Sequence, residues 1–105
     1  MSFAKKLRNL RELSNMSQKE LSDKIGVSTV MISQYENGKK MPARPTLNKI
    51  ADVFGVTTSE LLGEEENETP EEMIILNRAA KKMTPEKRKQ LLEIVQSIFK
   101  EEFKE

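Results

Sequence analysis

The 105 residues contain no cysteine and no histidine. Without cysteine there is no disulfide framework, no zinc–thiolate site and no thiol nucleophile. Without histidine the chain lacks the commonest general base, the commonest metal ligand and the side chain that titrates near neutral pH. Glycine is sparse, and the four present are too far apart to form a phosphate-cradling loop. No apolar run approaches the roughly 20 residues that span a bilayer. The opening MSFAKKLRNL is too polar for a secretory core, so the expectation is a cytoplasmic protein with no membrane contact. The isolated Ser, Lys and Glu residues show no spacing of a nucleophile with its base. These absences argue against an enzyme, and no catalytic residue, metal or cofactor is expected.

Charged residues make up 33% of the chain and apolar ones 36%, a mixture suited to a small helical domain. A chain this short buries only about 60 to 65% of its unfolded surface, so the core is modest. The net charge of +1 is unevenly spread. Residues 1–63 carry ten Lys or Arg against six Asp or Glu, a balance of +4, and residues 64–105 carry eight against eleven, a balance of −3. A mildly basic unit is followed by an acidic one. A local basic excess suits nucleic acid without establishing it.

Helix signals fall between the glycines and prolines. Over residues 3–14, Phe3, Leu7, Leu10 and Leu13 form one apolar stripe. Ser17 and Glu20 form a capping box that opens a short helix burying Leu21 and Ile25, and Gly26 ends it. Ser28 caps a third helix that runs to Glu36 and stops at Asn37-Gly38. Pro45 fits the first position of a fourth helix, with Leu47, Ile50, Ala51 and Phe54 inward. Thr57 and Glu60 cap a single turn ending at Gly63. Residues 64–68 form an acidic spacer. Thr69, Pro70 and Glu72 then start a helix to about Met83, and Thr84-Pro85-Glu86 starts another that reaches Phe103. No segment has the period of a strand, so the fold class is all-α. The expected divisions are 1–63, a linker at 64–69 and a helical region at 70–105.

Residues 17–38 hold the informative constellation. Two short helices joined through Gly26 cross steeply, locked by Leu21, Ile25, Val27 and Ile32. The outer face of the second helix is left with Thr29, Val30, Ser33 and Gln34, with no acidic residue among them. Such a face is slim enough for the major groove, with an amide to pair with adenine and methyls to touch thymine.

The chain resembles the Cro/CI-like, or XRE, helix-turn-helix family over residues 4–63. The residues that carry the likeness are Leu7, Arg8, Arg11, Ser17, Gln18, Glu20, Leu21, Gly26, Val27, Ser28, Ile32, Ser33, Glu36 and Gly38. They continue as Leu47, Ile50, Ala51, Phe54, Gly55, Val56, Leu61 and Leu62. Ser22 departs from the usual Ala, and its hydroxyl would bond back to a carbonyl one turn earlier. The resemblance implies a five-helix, lambda-repressor-like DNA-binding domain. Gln18, Thr29, Val30, Ser33 and Gln34 would then read bases, while Asn37, Lys39, Lys40 and Arg44 grip phosphates. Arg11 and Glu36 would form an internal ion pair. Lys5, Lys6 and Arg8 read as a solvated face, and Met31 and Tyr35 as packing at the helix margin.

In the last helix, Leu91, Leu92, Ile94, Val95, Ile98, Phe99 and Phe103 cover more than the stripe of about 100° that one neighbour needs. Contacts on two sides are expected, with the preceding helix through Ile74, Leu76, Ala80 and Met83 and with a second copy. Leu91, Leu92, Val95, Ile98, Phe99 and Phe103 are the dimerisation set. An intrachain cover or a different protein partner are the other uses of that face. A homodimer would read a palindromic operator in double-stranded DNA, with half-sites about one helical turn apart. The stretch from Arg78 to Glu86 is similar to short repressors of prophages and mobile elements in low-GC Gram-positive bacteria. In some of those systems an antagonist protein or protease inactivates the repressor. The function this implies is a homodimeric repressor, and the rivals are an antitoxin and a restriction–modification controller.

Overall fold

The computed structural model describes residues 2–64 and 69–104, and every regular element among them is helical. Helix α1 (Phe3–Leu13) buries Phe3, Leu7 and Leu10 as the stripe requires, while Leu13, on its last turn, stays 39% exposed. Lys6 overturns the expectation of a solvated side chain, being only 1% exposed. It lies three residues after Phe3 and four before Leu10, on the inward stripe, and it is engaged within the fold. Lys5 and Arg8 face solvent as expected, with Arg8 donating to Glu12.

Helix α2 (Gln18–Ile25) opens with both bonds of its capping box. The Glu20 amide donates to Ser17 Oγ at 3.0 Å, and the Ser17 amide donates to Glu20 Oε1 at 3.3 Å. Helix α3 (Thr29–Glu36) opens where Ser28 Oγ accepts the Met31 amide. Gly26 joins them at φ +75°. An added Cβ there would meet nothing within 4 Å, so the left-handed turn and not crowding requires glycine. Leu21, Ile25 and Ile32 are buried at the crossing. Ser22 is buried beside them, and its hydroxyl donates to the Lys19 carbonyl at 2.7 Å.

Helix α4 (Arg44–Phe54) begins one residue before Pro45, where a missing amide still costs no helical bond. Helix α5 (Thr58–Leu62) is capped by Thr57 and buries Leu61. These five helices share one core, centred on Leu7, Leu10, Leu21, Ile25, Ile32, Ile50, Phe54 and Leu61. Of the acidic spacer, residues 65–68 lie outside the described residues.

Helix α6 (Glu71–Lys82) starts one residue later than the cap at Thr69 predicts. Pro70 takes the cap position with extended backbone and no side-chain bond. Its Ile74 enters the common core, and the helix packs against α1 and α4. Helix α7 (Pro85–Ile98) is capped by Thr84 and contains no buried residue. It ends at Ile98 and does not run on to Phe103. Phe99 leaves the helical conformation, and Lys100–Phe103 form a 3₁₀ turn. A continuous helix would carry Phe103 about 16 Å beyond Leu92. The turn instead folds Phe103 back to line the groove between α6 and α7. The molecule is 45 Å long with a radius of gyration of 15.8 Å, above the about 13 Å of a compact chain this size.

Candidate nucleic-acid interface

Burial of Ile32, Tyr35 and Glu36 fixes which side of α3 faces out. Thr29 and Val30 are exposed, Val30 at 66%, and Ser33 and Gln34 are half-buried beside them. Val30, Ser33 and Gln34 lie on the side of α3 away from its buried residues, and Thr29 is exposed at the first turn. Tyr35 is 3% exposed and belongs to the core, and Met31 packs against it, so neither adds to the outer face.

A polar brace sets α2 against α3. Arg11 Nε donates to Glu36 Oε2 at 2.6 Å and Nη2 donates to Oε1 at 3.0 Å, a two-bond fork. Arg11 Nη1 also donates to the Met16 carbonyl at 2.8 Å, which holds the turn between α1 and α2. Hydrogen bonding to the Glu36 carboxylate, which accepts from it, raises the Arg11 pKa above the ordinary guanidinium range. Burial opposes this shift, and the charges of Glu36 and Glu12 add to it. Gln18 Nε2 donates to the same Glu36 oxygen at 3.2 Å. The first residue of α2 is therefore tied to the last residue of α3, and the Gln18 amide is oriented before any ligand arrives. The start of α2 also presents amides that have no acceptor within the helix, which suits a phosphate.

Past α3 the chain turns through Asn37 and Gly38 into a non-helical stretch. Asn37, Lys39 and Lys40 are exposed there, as is Arg44 at the start of α4. The Lys39 and Lys40 amides donate to the Gln34 carbonyl, so the lysines emerge close beneath the outer face of α3. Asn37 Nδ2 donates to Ser33 Oγ at 3.4 Å and links the two sets of residues. Neutral, slender side chains thus occupy the centre of the surface, with cations at its edge. That pattern suits base edges in a groove flanked by phosphates.

The model of the helix-turn-helix family matches residues 7–61, over half of the chain and the whole of this arrangement. The chain belongs to the helix-turn-helix family. It is a DNA-binding transcriptional regulator of the XRE type, similar to a phage repressor. The cryptic phage CTXphi transcriptional repressor RstR of Vibrio cholerae is 26% identical over 98 residues, 93% of this chain and 88% of that protein. The HTH-type transcriptional regulator ImmR of Bacillus subtilis is 32% identical over 78 residues, 74% of this chain and 61% of that protein. The crystal structure of a transcriptional regulator from Listeria innocua aligns with a TM-score of 0.59 at 20% identity, covering 93% of this chain and 95% of that one. This last likeness is one of fold, and its coverage includes the tail helices.

In the tail, Leu91 and Val95 are half-buried, whereas Leu92, Ile98, Phe99 and Phe103 are exposed. Met73, Leu76 and Ile94 are exposed as well and extend this apolar surface. Leu76 and Ala80 line the groove with α7, as expected of the preceding helix, whereas Ile74, expected beside them, is buried in the common core; Met73 lines the same groove and lies outside the sequence expectation. No helix among the described residues is long and apolar enough to cross a membrane.

Proposed function

We propose that this regulator is a cytoplasmic homodimeric repressor of a prophage or mobile-element promoter. In this reading it binds a palindromic operator and acts without chemistry or a cofactor. Residues 1–63 read DNA, and 70–105 pair the two copies. Gln18, Thr29, Val30, Ser33 and Gln34 contact bases, while Asn37, Lys39, Lys40 and Arg44 contact phosphates. The observation that carries the DNA-reading surface is the exposed, charge-free outer face of α3, braced through Glu36 to Gln18 and bordered by Lys39 and Lys40.

The dimer rests on α7. A helix without one buried residue gains little from its own chain, and here it displays Leu92, Ile94, Ile98 and Phe99. An apolar face of this extent is covered in solution, and a twofold pair covers both copies at once. One recognition helix also reads too few base pairs to select a site from a genome, which a palindrome remedies. Repression follows from position, since a dimer seated on a promoter excludes polymerase.

The test is selection from random duplex DNA with the full chain and with Ile98→Glu/Phe99→Glu, two exposed positions whose exchange spares the core. Enrichment of a palindrome with half-sites roughly 34 Å apart, lost in a monomeric variant, is the expected result. No enriched sequence would overturn the DNA-reading assignment. A monomeric wild-type chain in sedimentation would overturn the dimer and turn attention to a different partner for α7. A promoter reporter that falls when the protein is deleted would refute repression.

A further inference from the structure

We infer that Arg78 is a positioning residue for operator selection. It fixes the α6–α7 hairpin on the DNA-reading helices and thereby sets the half-site spacing that the dimer accepts. The inference rests on the dimeric reading above.

Arg78 projects from α6 to the C-terminal ends of two other helices. Its Nη1 donates to the Val53 carbonyl at 2.9 Å, one of the last carbonyls of α4, which have no partner inside that helix. Its Nη2 donates to Ser14 Oγ at 3.2 Å, and Ser14 closes α1. The guanidinium carbon lies 5.9 Å from the centroid of the Phe54 ring, within reach of a cation–π contact. A cation at these helix ends also complements their dipoles. One turn earlier, Ile74 is buried in the core. Ile74 supplies adhesion that has no preferred direction. Arg78 supplies direction, since α6 cannot swing relative to α1 and α4 without breaking one of its bonds.

The connection continues outward. Arg88 of α7 donates to the carbonyls of Ala80 at 3.1 Å and Met83 at 2.7 Å, closing the C-terminal end of α6. From the brace beneath α3, a chain of packed helices and hydrogen bonds therefore runs through α1 and α4 to Arg78 and along α6, and the Arg88 bonds carry it into α7. A tilt of about 10° at Arg78, over an α7 about 21 Å long, moves its far end by about 3.6 Å. That is close to the roughly 3.4 Å rise of one base pair. Spacing selectivity at single-base-pair resolution thus requires an anchor that resists a tilt of this size.

The experiment measures affinities of full-length wild type, Arg78→Met, Arg78→Lys and Ser14→Ala. The duplexes carry the selected palindrome at its best spacing, the same palindrome with one base pair added or removed, and a single half-site. Sedimentation gives the oligomeric state of each protein. Arg78→Met is expected to stay dimeric and bind the single half-site like wild type, while its discrimination between spacings falls about tenfold. Arg78→Lys should be intermediate. A merely stabilising role would lower affinity for all duplexes together and leave the ratio unchanged, and that result in a dimeric Arg78→Met overturns the inference. Should Arg78→Met not fold, Ser14→Ala decides. Reduced spacing discrimination there supports the role, and wild-type discrimination overturns it. A wild-type chain that is monomeric, or indifferent to spacing, overturns the dimeric reading itself and the inference with it.

Discussion

Glu36 offers the sharpest test of how the DNA-reading surface is held. Its side chain is 3% exposed and that of Arg11 12%, with two hydrogen bonds between them and a third to Glu36 from Gln18. Exchange for Gln keeps the shape but removes the charge that compensates Arg11. Loss of one partner from a buried pair costs about 3 to 5 kcal/mol, and the residual exposure of Arg11 lowers the expectation here to about 2 to 4 kcal/mol. In a domain of this size that corresponds to a fall of about 10 to 25 °C in Tm. Urea unfolding followed by circular dichroism, at one fixed protein concentration, should show an earlier midpoint with an unchanged slope. The pH dependence has a definite sign. Pairing raises the Arg11 pKa in the folded state, so its stabilisation is complete below the unfolded guanidinium value. It is lost only as pH rises through the still higher folded value. The difference between wild type and Glu36→Gln should therefore stay flat from about pH 6 to about pH 10. A loss below about 1 kcal/mol, the scale of a solvated surface pair, would refute the reasoning.

Two further exchanges separate base reading from phosphate holding. Gln34→Ala should cost about 1 to 3 kcal/mol at one base position and relax the selected sequence there, and an equal loss on all sequences would move Gln34 to the phosphate set. Lys39→Ala should weaken every duplex alike and lower the slope of log affinity against log salt by about 0.9, a change that titrations at several salt concentrations would detect. An unaltered slope would remove Lys39 from the phosphate contacts.

Local chemistry made most of the fold legible. The bonds from Glu20 to Ser17 and from Met31 to Ser28 span three residues, and the turn at Gly26 needs only its own φ, so each is written in adjacent letters. The outer face of α3 was legible for a similar reason, since Ile32, Tyr35 and Glu36 claim one side and leave the other. Lys6 departs from the solvated face expected of a lysine because its position on the inward stripe outweighs its residue type. A long side chain on the inward stripe buries its stem wherever its end finds a partner. Phe103 returns to a groove that it shares with Met73, Leu76 and Ala80 of α6, and no window around residues 99–103 contains those.

Arg78 was harder still, because Ser14 lies 64 positions away and only packing brings them together. The same contact shows why composition and architecture divide this chain differently. Charge changes sign at residue 64, yet α6, beyond that point, contributes Ile74 to the common core and Arg78 to the ends of α1 and α4. Cutting the chain after Gly63 would remove both and uncover apolar surface on α1 and α4 beneath them. Loss of DNA binding by such a fragment would then report a damaged reader as readily as a missing dimer. Exchanges at Ile98 and Phe99, which touch no part of that core, separate the two effects.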